Sequence, residues 1–400
     1  MTAALLLAAS VVVAAPTAAK GRAVLQVPQD YATIALAIDA ADNGDEIAVA
    51  PGSYYFGGID ASPKELTIRS THGPAVTALQ IDAELGSNSA LIGFTFDPQF
   101  QSSRLVNANG NNILVSGNIF DGIDINGGVI WAQGGAVTIT RNLFRNVECN
   151  GVIISAFSGA EVVVSNNVML GGDCGGISVT SSAAAGSTVI NNTISGTAGT
   201  GLYLAEASFV ARNNILAGNG VGVNAGGNMP TFENNLVFGN STDYQNYPDQ
   251  TGSNGNISAD PLLGASPGYR LGAGSPAIDA GSAIVAPAID FDGSTRPVDG
   301  DGVGGAAHDI GAHEFGAPFG TIAGSVVNED GRGVASMCVS VWDGGSRSVV
   351  VATNGDGTYS AEVAPDSYTV EFEDCVFGVF DGEWYDGAAG PGNATPVVVA

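Results

Sequence analysis

SGNIF (116–120), TRNLF (140–144), SNNVM (165–169), INNTI (190–194), RNNIL (212–216) and ENNLV (233–237) are one short phrase written six times. The shared asparagines, Asn118, Asn142, Asn167, Asn192, Asn214 and Asn235, stand 24, 25, 25, 22 and 21 residues apart. The pattern continues N-terminally through Phe94 (LIGFTF) and Ser70 (LTIRST), where the flanks keep the same character. A period of about 20–30 residues with strand-like flanks marks a solenoid. Three residues before each Asn stand Val115, Ile139, Val164, Val189, Ala211 and Phe232, and two after stand Phe120, Phe144, Met169, Ile194, Leu216 and Val237. Short β-branched runs such as VTIT and EVVVS alternate with glycine clusters, as strands alternate with turns. A recurring leucine framework and a 3.6-residue period, the marks of leucine-rich and helical repeats, are both missing. A coil of about 24 residues holds three short strands and three turns, and successive coils stack in parallel about 4.8 Å apart. Asparagine tolerates the left-handed conformation that such turns need, and stacked asparagines can hydrogen-bond along the column. They are therefore read as structural.

Composition agrees. Twelve Lys+Arg against 39 Asp+Glu give a net charge of −27, which excludes the basic footprint of a nucleic-acid binder and docking on anionic lipid. Glycine, at 58 of 400 residues, is about twice its usual share, and only 13% of residues are charged, which favours strands and tight turns over long amphipathic helices. With 45% hydrophobic residues the chain is too apolar for disorder. The run Leu5–Ala15 is too short to span a bilayer. It reads as the core of an export signal over residues 1–19, with small-residue cleavage positions near Ala15 or Ala19. The basic residues that usually precede such a core are missing, which is consistent with a start upstream of Met1. The expected location is outside the cell or on its surface, an oxidising setting in which Cys149 with Cys174, and Cys338 with Cys375, are expected to pair.

VPQDYATIALAIDAADNGDEIAVAPGSYY (27–55) resembles the N-terminal cap and first coil of right-handed parallel β-helix proteins of the pectate-lyase-like superfamily. The residues support it independently: Ile34, Ala37, Ile38 and Ala41 share a helical face, and Asn43-Gly44 ends the helix. Residues 24–256 are thus expected to form the β-helix with its cap. Residues 257–317, with ADPLL, GSPAIDAG, DFDG-x-x-RP-x-DGD and DIGAHE, resemble the closing segment of bacterial "choice-of-anchor Q" surface proteins and are expected to cap the far end. Asp290, Asp292, Asp299, Asp301 and Asp309 are its candidate Ca²⁺ ligands, since carboxylates spaced by glycine suit a hard cation; the alternative is turn-capping aspartates. Residues 320–400, with NGDG-T-Y-S and P-x-S-Y-T-V, resemble a carboxypeptidase-regulatory-like β-sandwich; the end at ATPVVVA, where such domains supply a final strand, leaves two expectations open, a sequence that is a fragment or a last strand that is swapped or missing.

The repeat register also places chemistry. Six residues past the aligned asparagines fall Asp124, Glu148 and Asp173 on successive coils, and three past fall Asp97, Asp121 and Arg145. Cys149 and Cys174 follow the acidic column by one position, close enough for a disulfide. Stacked carboxylates repel unless a cation or a proton intervenes, so the column is a candidate Ca²⁺ site or a source of a general acid. The family resemblance implies polyuronate chemistry, with Asp124, Glu148 and Asp173 as catalytic acids, Arg145 as a lyase base, and Asp97, Asp121 and Trp131 as substrate contacts. The pectate-lyase and pectin-methylesterase signature motifs are absent. Of the aromatics Tyr54, Tyr55, Phe56, Trp131, Phe157 and Tyr203, most are expected in the core, with Trp131 the best sugar-stacking candidate. His72, His308 and His313 lack metal-ligand spacing, and the last two are read as structural. Three functions remain open: an exported β-helix that binds extracellular, acidic polysaccharide with Ca²⁺; a polysaccharide-active enzyme, lyase more than hydrolase; and an adhesin or stalk with protein partners.

Overall fold

The computed structural model describes residues 22–399 except 56, 98–103, 181–182, 185, 206–207, 228, 265–268, 317–319, 329, 344–345, 364–366, 375–381, 389 and 391–392. The export-signal segment, Phe56 and Cys375 lie outside the described residues.

The chain is all-β, with a right-handed parallel solenoid of about nine coils and a separate small antiparallel region at its C-terminal side. Three parallel sheets form the solenoid walls. Sheet A has ten strands, from Val24–Val27 to Thr231–Glu233; sheets B and C have nine each, running from Gly52–Tyr54 to Leu236–Phe238 and from Ile59–Asp60 to Thr242–Gln245. A single coil passes through Ile113–Ser116 in A, Ile119–Asp121 in B and Gly128–Gln133 in C. Each residue pairs with its equivalent one repeat later, as Val115 does with Ile139 and Phe120 with Phe144. Like side chains therefore stack on like. Phe96, Phe120 and Phe144 lie parallel at 4.7 and 4.8 Å, and Met169, Ile194, Leu216 and Val237 extend the column.

Within the repeated phrase the two turn residues divide their labour. The left-handed position is the one before the aligned asparagine: Gly117, Arg141, Asn166, Asn191, Asn213 and Asn234 all have φ between 50° and 65°. This corrects the expectation that the aligned asparagines adopt it. Those are fully buried instead. Asn142 Oδ1 accepts both the backbone N–H and the Nδ2 of Asn118 at 3.0 Å, and Asn118 Nδ2 also donates to the Leu91 carbonyl. The pattern repeats to Asn256, one position beyond the six found by phrase matching. Each turn thus saturates buried donors that would otherwise go unpaired.

At the N-terminal end, Thr33 Oγ1 caps the helix Ile34–Ala40 by accepting from Leu36 N, and Ile34, Ala37 and Ile38 face the core. Lys64 Nζ donates to the carbonyls of Ile38, Asp39 and Ala41 at 2.6–2.9 Å, a cation placed where a helix C-terminus favours one.

Ile257 still pairs in parallel with Leu236 of the last coil, and the described residues that follow it, up to 315, leave the stack. They fold back along the outside of the solenoid, over sheet B. The left-handed turn column holds them: Asn234 Nδ2 donates to Ala280 O, Asn213 to Ser282 O, Asn191 to Asp309 O and Gly311 O, Asn166 to Ile289 O, and Arg141 Nε to Phe291 O. Apolar contacts complete the seam, with Ile215, Leu236, Ala277 and Ile310 in one cluster and Leu143, Val168 and Ala312 in another. Gly311, at φ 105°, has no room for a side chain, since a Cβ would come within 2.6 Å of Ile215 Cδ1.

In the C-terminal region Gly320–Ser325 pairs with Thr358–Val363, and Cys338–Asp343, Ser346–Ala352, Ser367–Glu373, Glu383–Trp384 and Val397–Val398 form a five-stranded sheet. Val339, Val341, Tyr359, Tyr368 and Val370 pack between them. Val397–Val398 pairs antiparallel with Ser367–Tyr368 at the edge of this sheet. His72 Nε2 meets the Glu373 carboxylate, tying a solenoid turn to this region. No helix among the described residues is long and apolar enough to cross a membrane.

Candidate functional site

The turn joining sheet B to sheet C carries the ionisable columns. Asp124 and Glu148 are cross-coil partners, followed by Ile125 and Cys149. Cys149 is bonded to Cys174 across the next coil, with Cα atoms 5.1 Å apart. Asp173 continues the column, and its Oδ1 accepts the Cys149 N–H at 2.7 Å. All three acids are exposed. Beside them Asp121 pairs in register with Arg145. The Arg145 guanidinium donates to Asp121 Oδ2 at 2.6 Å, so it is neutralised from the coil below. A base must be able to release a proton, and a guanidinium held by a carboxylate is the side chain least able to do so. Asp97, also exposed, accepts from Gln80 Nε2 at 3.3 Å. Among the described residues the acidic column is not one of the groups compact enough to hold a metal ion.

Sheet C presents the other half of the site. One outward column runs in register from Glu84 through Asn107, Trp131, Ser155, Ser178 and Tyr203 to Asn224. A second runs through Asn109, Gln133 and Phe157. Trp131, Phe157 and Tyr203 are therefore outside the solenoid and half-buried, contrary to the expectation of core packing for most of the aromatics. Strand alternation is the reason. In Gly128–Gln133 the inward positions belong to Ile130 and Ala132, and Ala108, Ala132 and Ala156 stack inside where no ring would fit. Phe157 meets Trp131 edge-on at 5.5 Å, and the Arg104 guanidinium lies 5.5 Å from the indole centre while pairing with Glu84 at 3.3 Å. Gln133 Nε2 donates to Asn107 Oδ1 at 2.9 Å. The face carries aromatic surface, amides and hydroxyls, and its Arg104–Glu84 ion pair is internally balanced. Tyr54, by contrast, packs on the core with its hydroxyl on the Ala50 carbonyl, and burial pushes its pKa up to about 12; Tyr55 is exposed.

The five aspartates proposed as one calcium site are not brought together. Asp290 and Asp309 are fully buried and serve the backbone. Asp290 accepts the N–H groups of Ser294 and Glu314, and Asp309 those of Asp279 and Phe315. Between them Arg296 and Glu314 form an ion pair at 2.6 Å with neither side chain exposed. Arg296 also reaches Asn166 Oδ1 and the carbonyls of Asp309 and Gly311, which fixes the folded-back segment to the solenoid. Burial pushes the Asp309 carboxyl up to about 7 and raises Glu314 as well, despite Arg296. Asp292 joins Asp290 and His313 in one compact group. Burial works to raise its pKa, but His313 at 2.9 Å and Arg270 at 3.0 Å hold it below the usual range. Arg270 and Arg141 face this group, and its imidazole stacks on Tyr269 and lies tilted against Phe291. Asp299 and Asp301 instead join Asp279 in a second, more exposed group with oxygen donors alone. Sequence spacing missed Asp279 and His313 because they stand outside the DFDG–DGD run; both lie in motifs, GSPAIDAG and DIGAHE, that were noticed only as resemblances. Cys338 has its proposed partner outside the described residues. His308 lies in the same segment, and burial lowers its pKa.

Residues 104–259 match the family described as right-handed beta helix region. No curated protein matches the chain. Among solved structures it is similar to the pectin methylesterase of Aspergillus niger, at 14% identity over 60% of this chain and 85% of that one, with a TM-score of 0.39. It is also similar to the PL6 family alginate lyase AlyGC, at 14% identity over 54% of this chain and 38% of the lyase, with a TM-score of 0.35. A third is the A-module of the Azotobacter vinelandii mannuronan C-5 epimerase AlgE6, at 12% identity over 57% and 75%, with a TM-score of 0.27. The aligned part thus spans well under half of the alginate lyase.

Proposed function

We propose that this is an exported β-helix protein that binds extracellular polysaccharide along the outer face of sheet C without turning it over. The observation that carries the reading is the outward, half-buried Trp131, edge-packed by Phe157, in a column that beyond Glu84 holds amides and hydroxyls. A flat aromatic surface with hydrogen-bonding groups beside it suits a sugar ring, which has an apolar face and a polar edge. Arg145, neutralised by Asp121, speaks against the lyase reading, and so does the exposure of Asp124, Glu148 and Asp173. In this reading the acids are solvated groups at the rim, and Asp173 with the Cys149–Cys174 bond steadies their turn. Calcium, as part of this proposal, belongs at Asp279, Asp299 and Asp301, where it would steady the folded-back segment, and not at the glycan.

The test is retention on polysaccharide gels, run beside an ultraviolet assay for unsaturated uronate products on a panel of uronate polymers with and without Ca²⁺. Retention lost in Trp131→Ala, with no product formed, is the expected outcome. Product formation that disappears in Glu148→Gln and Arg145→Ala would replace binding with a lyase. No retention on any polymer would remove the proposal.

A further inference from the structure

The C-terminal region has a cleft of its own, about 860 Å³, between the Gly320–Ser325 strand and the Glu383–Trp384 edge of the five-stranded sheet. Its size falls among small-molecule sites, about 300–1,000 Å³. Four aromatic rings line it: Tyr359, Phe372, Trp384 and Tyr385. Tyr359 and Phe372 meet edge-on at 5.8 Å, and Trp384 is braced from behind by Trp342 at 5.8 Å. Tyr385 is 44% exposed at the mouth. Burial, and after it the nearness of Tyr385, raises the pKa of the Tyr359 hydroxyl. The charged lining is of one sign. Asp330, Glu383 and Asp386 contribute carboxylates, and no lysine or arginine lines the cleft among the described residues. Asp386 is engaged by Thr395 Oγ1 at 2.8 Å. Glu383, at the start of the edge strand, is exposed and adjoins Trp384.

We propose that this cleft binds the alkylammonium group of a small cationic ligand, held against the faces of Trp384 and Tyr385 and balanced by Glu383 and Asp330. Aromatic faces attract cations through the negative side of the ring quadrupole, and the attraction grows as the cation is desolvated. A carboxylate at the rim adds long-range attraction without needing a fixed geometry. An anionic or acidic ligand would meet three carboxylates with nothing to offset them. A neutral apolar ligand would gain from the rings alone and leave the acids without a purpose. The site is independent of the solenoid face and does not rest on the polysaccharide reading.

The experiment uses the full chain. Choline and Nα-acetyl-lysine methylamide are titrated by calorimetry, with 3,3-dimethylbutan-1-ol as the neutral isostere of choline. Saturable binding of at least one cation with Kd below about 1 mM, and binding of the isostere at least tenfold weaker, is the expected result. The choline and lysine arms tell a free quaternary amine from a lysyl side chain. Trp384→Ala is expected to weaken binding about tenfold and Glu383→Gln about fivefold, while Trp131→Ala on the solenoid leaves it unchanged. Should Trp384→Ala melt far below the parent, Tyr385→Ala takes its place. Equal binding of choline and its isostere, no saturation by either cation, or affinity indifferent to both aromatic variants would overturn the proposal.

Discussion

Sheets B and C are wound from the same coils and stacked by the same backbone hydrogen bonds, yet their outer faces end in opposite states. Over sheet B, residues 257–315 bury Leu143, Val168, Ile215 and Leu236 and bring with them a charged network that no longer meets water. Sheet C keeps Trp131, Phe157 and Tyr203 half open, between serines and amides. The winding alone does not make a binding face. The face left uncovered by the fold-back is the one available to a ligand, and its side chains are those that tolerate both water and a sugar ring.

The sharpest way to break this contrast is to unfasten sheet B. Arg296→Ala leaves Glu314 buried without its partner, a loss of about 3–5 kcal/mol by the usual behaviour of such pairs. Chemical denaturation is expected to show it, and a loss under 1 kcal/mol would mean that the segment is not held by this pair. The same network gives the B side a pH signature. With the native Asp309 carboxyl near 7 against 3.8 when unfolded, the folded state keeps a proton that the unfolded state has lost between those values. Stability is therefore fully present below about pH 4 and falls as pH rises toward 7, by up to about 4 kcal/mol at 1.36 kcal/mol per unit. In Asp309→Asn that slope is expected to shrink to the part that Glu314, also raised by burial, still supplies, even though the variant starts lower for want of one acceptor. A wild-type stability that rises between pH 4 and 7 by the same probe would contradict the assignment.

Shared architecture is tested next. Asn192→Ala, in the ladder common to both faces, strips partners from buried donors and is expected to cost about 1–3 kcal/mol. Asn191→Ala, its neighbour in the left-handed turn, loses its bonds to the fold-back carbonyls of Asp309 and Gly311 and one to Asn213 Nδ2, and should cost less, about 0.5–1.5 kcal/mol for lost hydrogen bonds. Equal costs would erase the division of labour within the Asn-Asn pair. On the open side, Trp131→Ala is expected to leave the melting curve within about 0.5 kcal/mol of the parent while abolishing retention on polysaccharide gels. A large stability loss there would show that Trp131 is a packing residue and that the two faces differ less than described.

Much of this was readable from spacing. The coil period, the capping helix at Ile34–Ala40, the stacking of Asp124 on Glu148 and the Cys149–Cys174 bond all follow from residues one repeat apart becoming vertical neighbours. Spacing misplaced the left-handed position by one residue, because an Asn-Asn pair offers two candidates and only the backbone tells which is strained. It also left Trp131, Phe157 and Tyr203 ambiguous, since in strands of three to six residues a slip of one position exchanges inside for outside. The aspartates of 290–309 were visible as a cluster, but proximity in sequence hid that two of them are buried backbone anchors and that Asp279 and His313 complete the compact groups.

What the amino-acid sequence determined by itself is the solenoid: its period, its parallel register and the order of residues up each column, because backbone pairing repeats whatever the phrase repeats. Which wall stays open was decided only by the tertiary structure. The segment that covers sheet B has no repeat to announce its path, and its position depends on contacts such as Arg296 with Asn166, 130 residues apart, whose buried charges are stable only when every partner is in place.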